Sequence, residues 1–228
     1  MPVIAFANPK GGAGKTTSAL LLATEIASKG AQVTVIDADP ERWISQWGRL
    51  PGKPETVTIV SDVSEDTIVD VIEEAESAAQ FVIVDLEGTA SLMVSNAIGM
   101  ADLVVIPVQG SSMDARGGAK TIKLIRNQEK MSRRKIAHAV VLTRTSAAIT
   151  SRALKNVAQQ LQSGGVDIFS TSIVERAAFR DLFDYGGTLS TLDTSLTSNL
   201  DKAMQNAREF AGEVITRLKA AVAAKAAA

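Results

Sequence analysis

The chain has 228 residues, 46% of them apolar and 21% charged, which suits a single α/β domain with a sizeable core. It has no cysteine, which excludes disulfides, thiolate metal sites and cysteine-ligated iron–sulfur clusters. The net charge of −1 is divided unevenly: residues 1–113 carry 6 Lys/Arg against 15 Asp/Glu (−9), and residues 114–228 carry 18 against 10 (+8), which hints at a polyanion partner for the basic half.

Val3-Ile4-Ala5-Phe6-Ala7 is a short apolar run that reads as a buried parallel strand. It begins so early that no signal peptide is expected, and no apolar run approaches the ~20 residues needed to span a bilayer. Residues Lys10-Gly11-Gly12-Ala13-Gly14-Lys15-Thr16-Thr17 follow. They fit the phosphate-cradling pattern G-x-x-x-x-G-K-[ST] with Pro9 in the first glycine position. Apolar residues at Ala19, Leu22, Ala23 and Ile26 then recur at helical spacing, and Gly30 stands where a C-terminal cap belongs. A strand, a glycine-rich loop and a helix in this order make an anion-binding nest at a helix N-terminus. Lys15 is expected to reach the β- and γ-phosphates, and the Thr16 hydroxyl to ligate Mg²⁺. Lys10 is an added cation at the start of the loop, and it suggests that two copies of the protein share their nucleotides.

Strand-like runs recur at Val33–Ile36, Val57–Val60, Phe81–Val84, Leu103–Val108 and Ala139–Leu142, with a weaker one at Ile168–Ile173. Helix-like stretches lie between them at Ser64–Ala79, Asp114–Met131 and Thr150–Gln162, and a long one runs from Ser198 to Val222. This alternation predicts a mostly parallel, twisted sheet with helices on both faces, in one domain over residues 1–228. The alanine-rich tail 220–228 is expected to fray.

The strand Val33–Ile36 runs into Asp37-Ala38-Asp39-Pro40, whose two carboxylates point the same way by strand alternation. Ligands of open α/β sheets bind at the carboxyl ends of strands, so both acids face the nucleotide. One is suited to hold Mg²⁺ through water and the other to orient the attacking water. Phe81-Val82-Ile83-Val84-Asp85 is a Walker B pattern that places Asp85 to support Mg²⁺, and Gly88 leaves room for a loop that senses the γ-phosphate. The strand ends near Pro107 and Arg144 are where a base would be held, with Arg144 placed to stack on an adenine or meet a phosphate. Arg116, Lys120, Lys123, Lys130 and Arg134 fall at alternating four- and three-residue steps when Asn127 is counted, and Arg133 extends the patch. This stripe reads either as a solvated helix face or as a surface for DNA phosphates. His138 has no partner pattern and reads as structural. Trp43 and Trp47 read as core or dimer-contact residues.

The two-lysine loop, the Asp37-x-Asp39-Pro40 turn, the Asp85 strand end and Ile106-Pro107-Val108 together resemble the ParA/MinD family of deviant-Walker ATPases. Glu175-Arg176-x-x-Phe179-Arg180 and Gly186-Gly187 extend the likeness. It is to the short ParA type, and VirC-type proteins are similar. The resemblance implies a P-loop NTPase fold, ATP and Mg²⁺ as cofactors, and a cytoplasmic, nucleoid-associated protein. Lys10 resembles the signature lysine that reaches a partner's ATP, and residues Lys10–Thr17 with Pro107 and Arg144 would surround the nucleotide. Asp39 matches the carboxylate that positions water; Thr16, Asp37 and Asp85 match the groups around Mg²⁺. Family members form ATP-bound sandwich dimers on non-specific DNA and are released by a ParB-like stimulating protein. A MinD-like role at a membrane would need a terminal amphipathic helix, and Phe210-x-x-x-Val214-Ile215-x-x-Leu218 is only modestly so. Two departures lie in the switch loops: Glu41-Arg42 follow Asp39-Pro40, and Leu86-Glu87-Gly88 follow Asp85.

Overall fold

The computed structural model describes the backbone of residues 1–89, 91–110, 112–146 and 152–226. Seven strands form one sheet in the order β3-β2-β4-β1-β5-β6-β7, and every pairing is parallel. The strands are β1 (Val3–Phe6), β2 (Val33–Ala38), β3 (Val57–Val60), β4 (Phe81–Leu86), β5 (Leu103–Val108), β6 (Ala137–Thr145) and β7 (Ile173–Val174). Both faces are covered, as near-continuous apolar strands require. Ile4 and Phe6 of β1 point into one core, with α1 (Lys15–Ala27), α2 (Trp43–Trp47), α7 (Ala177–Tyr185) and α8 (Leu200–Ala226). Val3 and Ala5 point into the other, with α3 (Ile68–Ala78), α4 (Leu92–Met100), α5 (Ser112–Ser132) and α6 (Arg152–Ser163).

Three consecutive leucines, Leu20, Leu21 and Leu22, are fully buried because α1 is covered by the sheet on one side and by α8 on the other. The apolar residues Phe210, Val214 and Leu218 of α8 face this core. The helix expected from Thr150 begins, among the described residues, at Arg152; residues 147–151 lie outside them. Helix α8 runs as far as Ala226, with Lys225 paired to Asp102 at 2.7 Å; residues 227 and 228 of the tail expected to fray lie outside the described residues.

The weak strand expected over 168–173 is divided. Ile168 bridges Val140, but strand pairing resumes only at Ile173. Between them the Glu213 carboxylate of α8 accepts the N–H groups of Ser170 and Thr171, both at 2.8 Å, so a side chain supplies the partner that β6 would have given. No helix is expected from the sequence at α4 or α7, although Ala178, Phe179 and Leu182 of α7 recur at helical spacing. The run of α4, Leu-Met-Val-Ser-Asn-Ala-Ile-Gly-Met, is apolar nearly all round, and only the Ser91 cap on Val94 N–H (3.2 Å) marks its start.

Candidate nucleotide site

β1 lies at the centre of the sheet between β4 and β5, so the loop that leaves its end opens at the carboxyl edge of the sheet. Gly12 (φ 74°) and Gly14 (φ 97°) take left-handed backbone there, which is why glycine is needed at both. The carbonyls of the loop are tied back. Gln109 Nε2 donates to Gly12 O at 2.5 Å, and Thr143 Oγ1 donates to Ala13 O at 2.7 Å. A trans peptide sets the next N–H opposite its carbonyl, so these bonds turn the Ala13 and Gly14 N–H groups the other way, toward the cradle. Gln109 and Thr143 carry no motif signal, and a pattern scan of the loop alone misses them.

Lys15 is 5% exposed and its ammonium lies under the segment after β4. A Cβ built on Gly88 would lie 3.5 Å from Pro9 O, 3.6 Å from Gly11 N and 3.8 Å from Lys15 Nζ. Lys10, Thr16 and Thr17 are half buried, whereas Gly11 and Gly12 are exposed.

The two acids expected around Mg²⁺ stand side by side. Asp37 of β2 pairs in register with Asp85 of β4, and both are fully buried. Asp37 Oδ2 accepts Ser45 N–H at 2.8 Å and Ser45 Oγ–H at 2.6 Å, which leaves Oδ1 without a partner. Both oxygens of Asp85 lack a hydrogen-bond partner. Burial pushes the Asp85 carboxyl up to about 7; the nearby Thr16 hydroxyl and Lys15 ammonium act against this, and the carboxylates of Asp37 and Asp39 add to it. Three orphaned, buried carboxylate oxygens next to a Thr hydroxyl fit a hard divalent cation with oxygen ligands. Among the described residues no cluster of three or more His, Cys, Asp or Glu could hold a metal alone, so phosphate oxygens would have to complete such a shell.

Asp39 is half buried at the mouth, and its Oδ1 accepts Glu41 N–H at 3.0 Å. The switch-loop departures have structural roles. Arg42 takes left-handed backbone (φ 52°), and its guanidinium donates to the Asp37 carbonyl. Leu86 is fully buried, so the residue after Asp85 extends β4 into the core. Trp47 is core, with Nε1 donating to Gly187 O at 3.0 Å, whereas Trp43 is exposed.

Beside the loop, Gly14, Thr17, Thr143, Arg144, Arg176 and Phe179 line a cleft suited to a base and ribose. Arg144 is exposed, with φ 49°. Arg176 Nε is buried without a partner, a group the P-loop pattern does not indicate. Pro107 lies inside the sheet, and its carbonyl accepts Asn8 Nδ2 at 2.5 Å.

The basic stripe lies apart from this cluster. Since α5 joins the end of β5 to the start of the parallel β6, it runs from the nucleotide edge to the opposite edge, roughly 30 Å over its 21 residues. Arg116, Lys120, Lys123, Lys130 and Arg133 are exposed, as is Arg126. No side chain of the six makes a hydrogen bond or ion pair with a described residue. Arg134 differs: it is half buried, and its guanidinium donates to Gly99 O (2.6 Å) and Ala101 O (3.0 Å), satisfying carbonyls at the end of α4. The side chain of Asp114 lies outside the described residues. His138 binds the Ile136 carbonyl locally at 2.8 Å.

Comparison with known proteins gives a consistent result. The family described as "VirC1 protein" matches residues 1–224. A protein named ParA from Rhizobium radiobacter is 44% identical over 222 residues, 97% of this chain and 100% of that one. Maintenance of carboxysome distribution protein A from Halothiobacillus neapolitanus is 27% identical over 208 residues, covering 89% and 93%. Among solved structures, apo McdA of Cyanothece superposes with TM-score 0.74 at 18% identity, covering 92% of this chain and 99% of that one. MinD of Aquifex aeolicus gives 0.70 at 18% identity, covering 95% and 98%. The two-lysine loop, the paired acids and these full-length matches agree: the chain belongs to the VirC1 family, within the ParA/MinD group of P-loop proteins.

Proposed function

We propose that this protein is a Mg²⁺-dependent ATPase of the ParA type. It forms a nucleotide-sandwich dimer that holds non-specific DNA and lets go when a ParB-like partner stimulates hydrolysis. The observation that carries the reading is the meeting of the Lys10–Thr17 loop with the Asp37–Asp85 pair, three of whose four buried carboxylate oxygens have no hydrogen-bond partner among the described residues. ATP would supply the phosphate chain, and Mg²⁺ would screen the charge that grows on it. Lys15 and the loop N–H groups bind that chain, while the Thr16 hydroxyl, Asp37 and Asp85 hold the metal's shell. Asp39, at the mouth, orients the water. Lys10 reaches the nucleotide of the second copy. Arg144 and Arg176 contact the base side. Intrinsic turnover is expected to be slow.

The exposed cations of α5 supply the DNA surface, with Arg116, Lys120, Lys123, Lys130 and Arg133 as contacts. The cargo is a plasmid or chromosome locus, carried over the nucleoid in the cytoplasm. A second reading, positioning of a protein cargo, draws on the near full-length likeness to the carboxysome distribution protein. A membrane-bound cargo is disfavoured, because Phe210, Val214 and Leu218 are buried in the core of the protein. Sedimentation of the protein with ATP·Mg²⁺, with ADP·Mg²⁺ and with ATP plus a chelator tests the reading. A dimer with ATP·Mg²⁺ alone is expected, and a monomer under all three conditions contradicts it.

A further inference from the structure

Asn8 stands before the phosphate-binding pattern and has no assigned role in it. It is 2% exposed, and both ends of its amide are hydrogen-bonded. Oδ1 accepts the Lys10 N–H at 2.9 Å, and Nδ2 donates to the Pro107 carbonyl of β5 at 2.5 Å. A third element closes on the same group: a Cβ built on Gly117 of α5 would lie 2.7 Å from Asn8 Oδ1. Real Cβ atoms do not come that near, so α5 reaches the amide only because residue 117 is glycine. Gly118 repeats the arrangement one residue on, where a Cβ would meet Val108 Cγ2 at 3.0 Å. Two adjacent glycines weaken a helix, and here they let it lie directly against the end of β5 and against Asn8.

The consequence is mechanical. Protein interiors are close-packed, so the Asn8 amide cannot move toward α5 without meeting residue 117, nor away from β5 without losing Pro107. The Lys10 backbone hangs from that amide. The helix on the other side carries Arg116, Lys120 and Lys123 within two turns of Gly117.

We propose that Asn8 is a positioning residue that ties the Lys10 backbone to the N-terminal half of α5, so that the signature lysine and the basic face are set together. The proposal rests on the reading of Lys10 as the residue that crosses to a second copy's nucleotide. It is tested with Asn8→Ala, Gly117→Ala, their double variant and Lys10→Ala, measuring affinity for a fluorescent ATP analogue and ATP-dependent dimerisation by sedimentation. Asn8→Ala and Gly117→Ala are each expected to bind the analogue within threefold of the unaltered protein and to dimerise at least tenfold more weakly. The double variant is expected to be no worse than the weaker single one, since both act on one linkage. Hydrogen exchange is expected to quicken over residues 115–125 in Asn8→Ala and to stay unchanged in α1.

Normal dimerisation of Asn8→Ala and Gly117→Ala, with loss in Lys10→Ala, overturns the linkage and leaves the role of Lys10 standing. Normal dimerisation of Lys10→Ala overturns the underlying reading. Equal losses of ATP affinity and dimerisation in Asn8→Ala also overturn the proposal, because Asn8 would then only hold the loop's shape. If Asn8→Ala does not fold, Asn8→Asp keeps the acceptor for Lys10 and removes the donor to Pro107. A threefold or greater loss of dimerisation is then expected, and none overturns the linkage.

Discussion

At the carboxyl edge of the sheet, Lys15, Asp37 and Asp85 are buried to within 5% of full enclosure, and the loop between them is tied back by Gln109 and Thr143. Along α5 and just past its end, Arg116, Lys120, Lys123, Arg126, Lys130 and Arg133 stand in solvent, and their side chains bond to no described residue. Under the proposed function, the difference separates two ways of binding an anion. The first is a pre-organised site, in which few groups are fixed at high desolvation cost and each is indispensable. The second is a field of cations in which each contributes a similar, salt-screened share. Charge sorts the same way, because the edge is formed mainly by the acidic half and the stripe by the basic half. Of the ion pairs between described residues, Lys225–Asp102 joins the halves, whereas Lys135–Glu129, Arg180–Glu175 and Arg217–Glu213 lie within the basic one.

Substitutions should divide along this line, and the largest effect belongs to the fixed site. Lys15→Ala is expected to weaken ATP binding by about 100-fold or more, roughly 3 kcal/mol, as read by calorimetry. A loss below threefold would mean that the loop does not hold the phosphates through Lys15.

Asp85 comes next. Its folded value near 7 lies above the unfolded value of about 3.9, so the folded state holds the extra proton between those limits. The stability of the nucleotide-free protein should therefore fall as pH rises from about 4 to 7 and level off above that. Asp85→Asn should remove this slope and raise stability at pH 8 by on the order of 2–3 kcal/mol in urea melts, while abolishing Mg²⁺-dependent turnover. A pH profile identical to that of the unaltered protein would contradict the burial argument.

The stripe should respond by degrees. Replacing Lys120, Lys123 and Lys130 with Glu is expected to leave ATP affinity unchanged and to reduce the slope of log affinity for random duplex against log salt by about 0.9 for each phosphate that is no longer neutralised. An unchanged slope would move the DNA surface off α5. The smallest effect is expected at the far edge, where Lys225→Ala should cost less than about 1 kcal/mol, because Lys225 is half exposed and Asp102 keeps the Val3 N–H as a partner.

The sequence made the fixed site legible for a physical reason. A phosphate cradle needs glycine at left-handed positions, a lysine and a hydroxyl at set spacing, and acids at the ends of apolar strands; all of these are local. Gly12, Gly14, Lys15, Asp37 and Asp85 could be placed from spacing alone. What supports them was not legible, because Asn8, Gln109 and Thr143 act through contacts that span up to 130 residues of chain. The fold was legible wherever a run had one clear period. It failed at α4, which is apolar all round, and between residues 168 and 173, where Glu213 takes the N–H groups that a strand partner would have used. On the surface only charge and helical spacing could be read, and Arg134, which shares the spacing, turned inward to the end of α4.

The central claim is that the fixed site governs the cationic face through Lys10. It is tested most directly by titrating random duplex DNA at low salt with the unaltered protein and with Lys10→Ala, each saturated with ATP·Mg²⁺ and each with ADP·Mg²⁺. The account predicts tight binding by the unaltered protein with ATP alone, and none by Lys10→Ala even though it binds ATP equally well. DNA binding of equal strength in all four samples would contradict it.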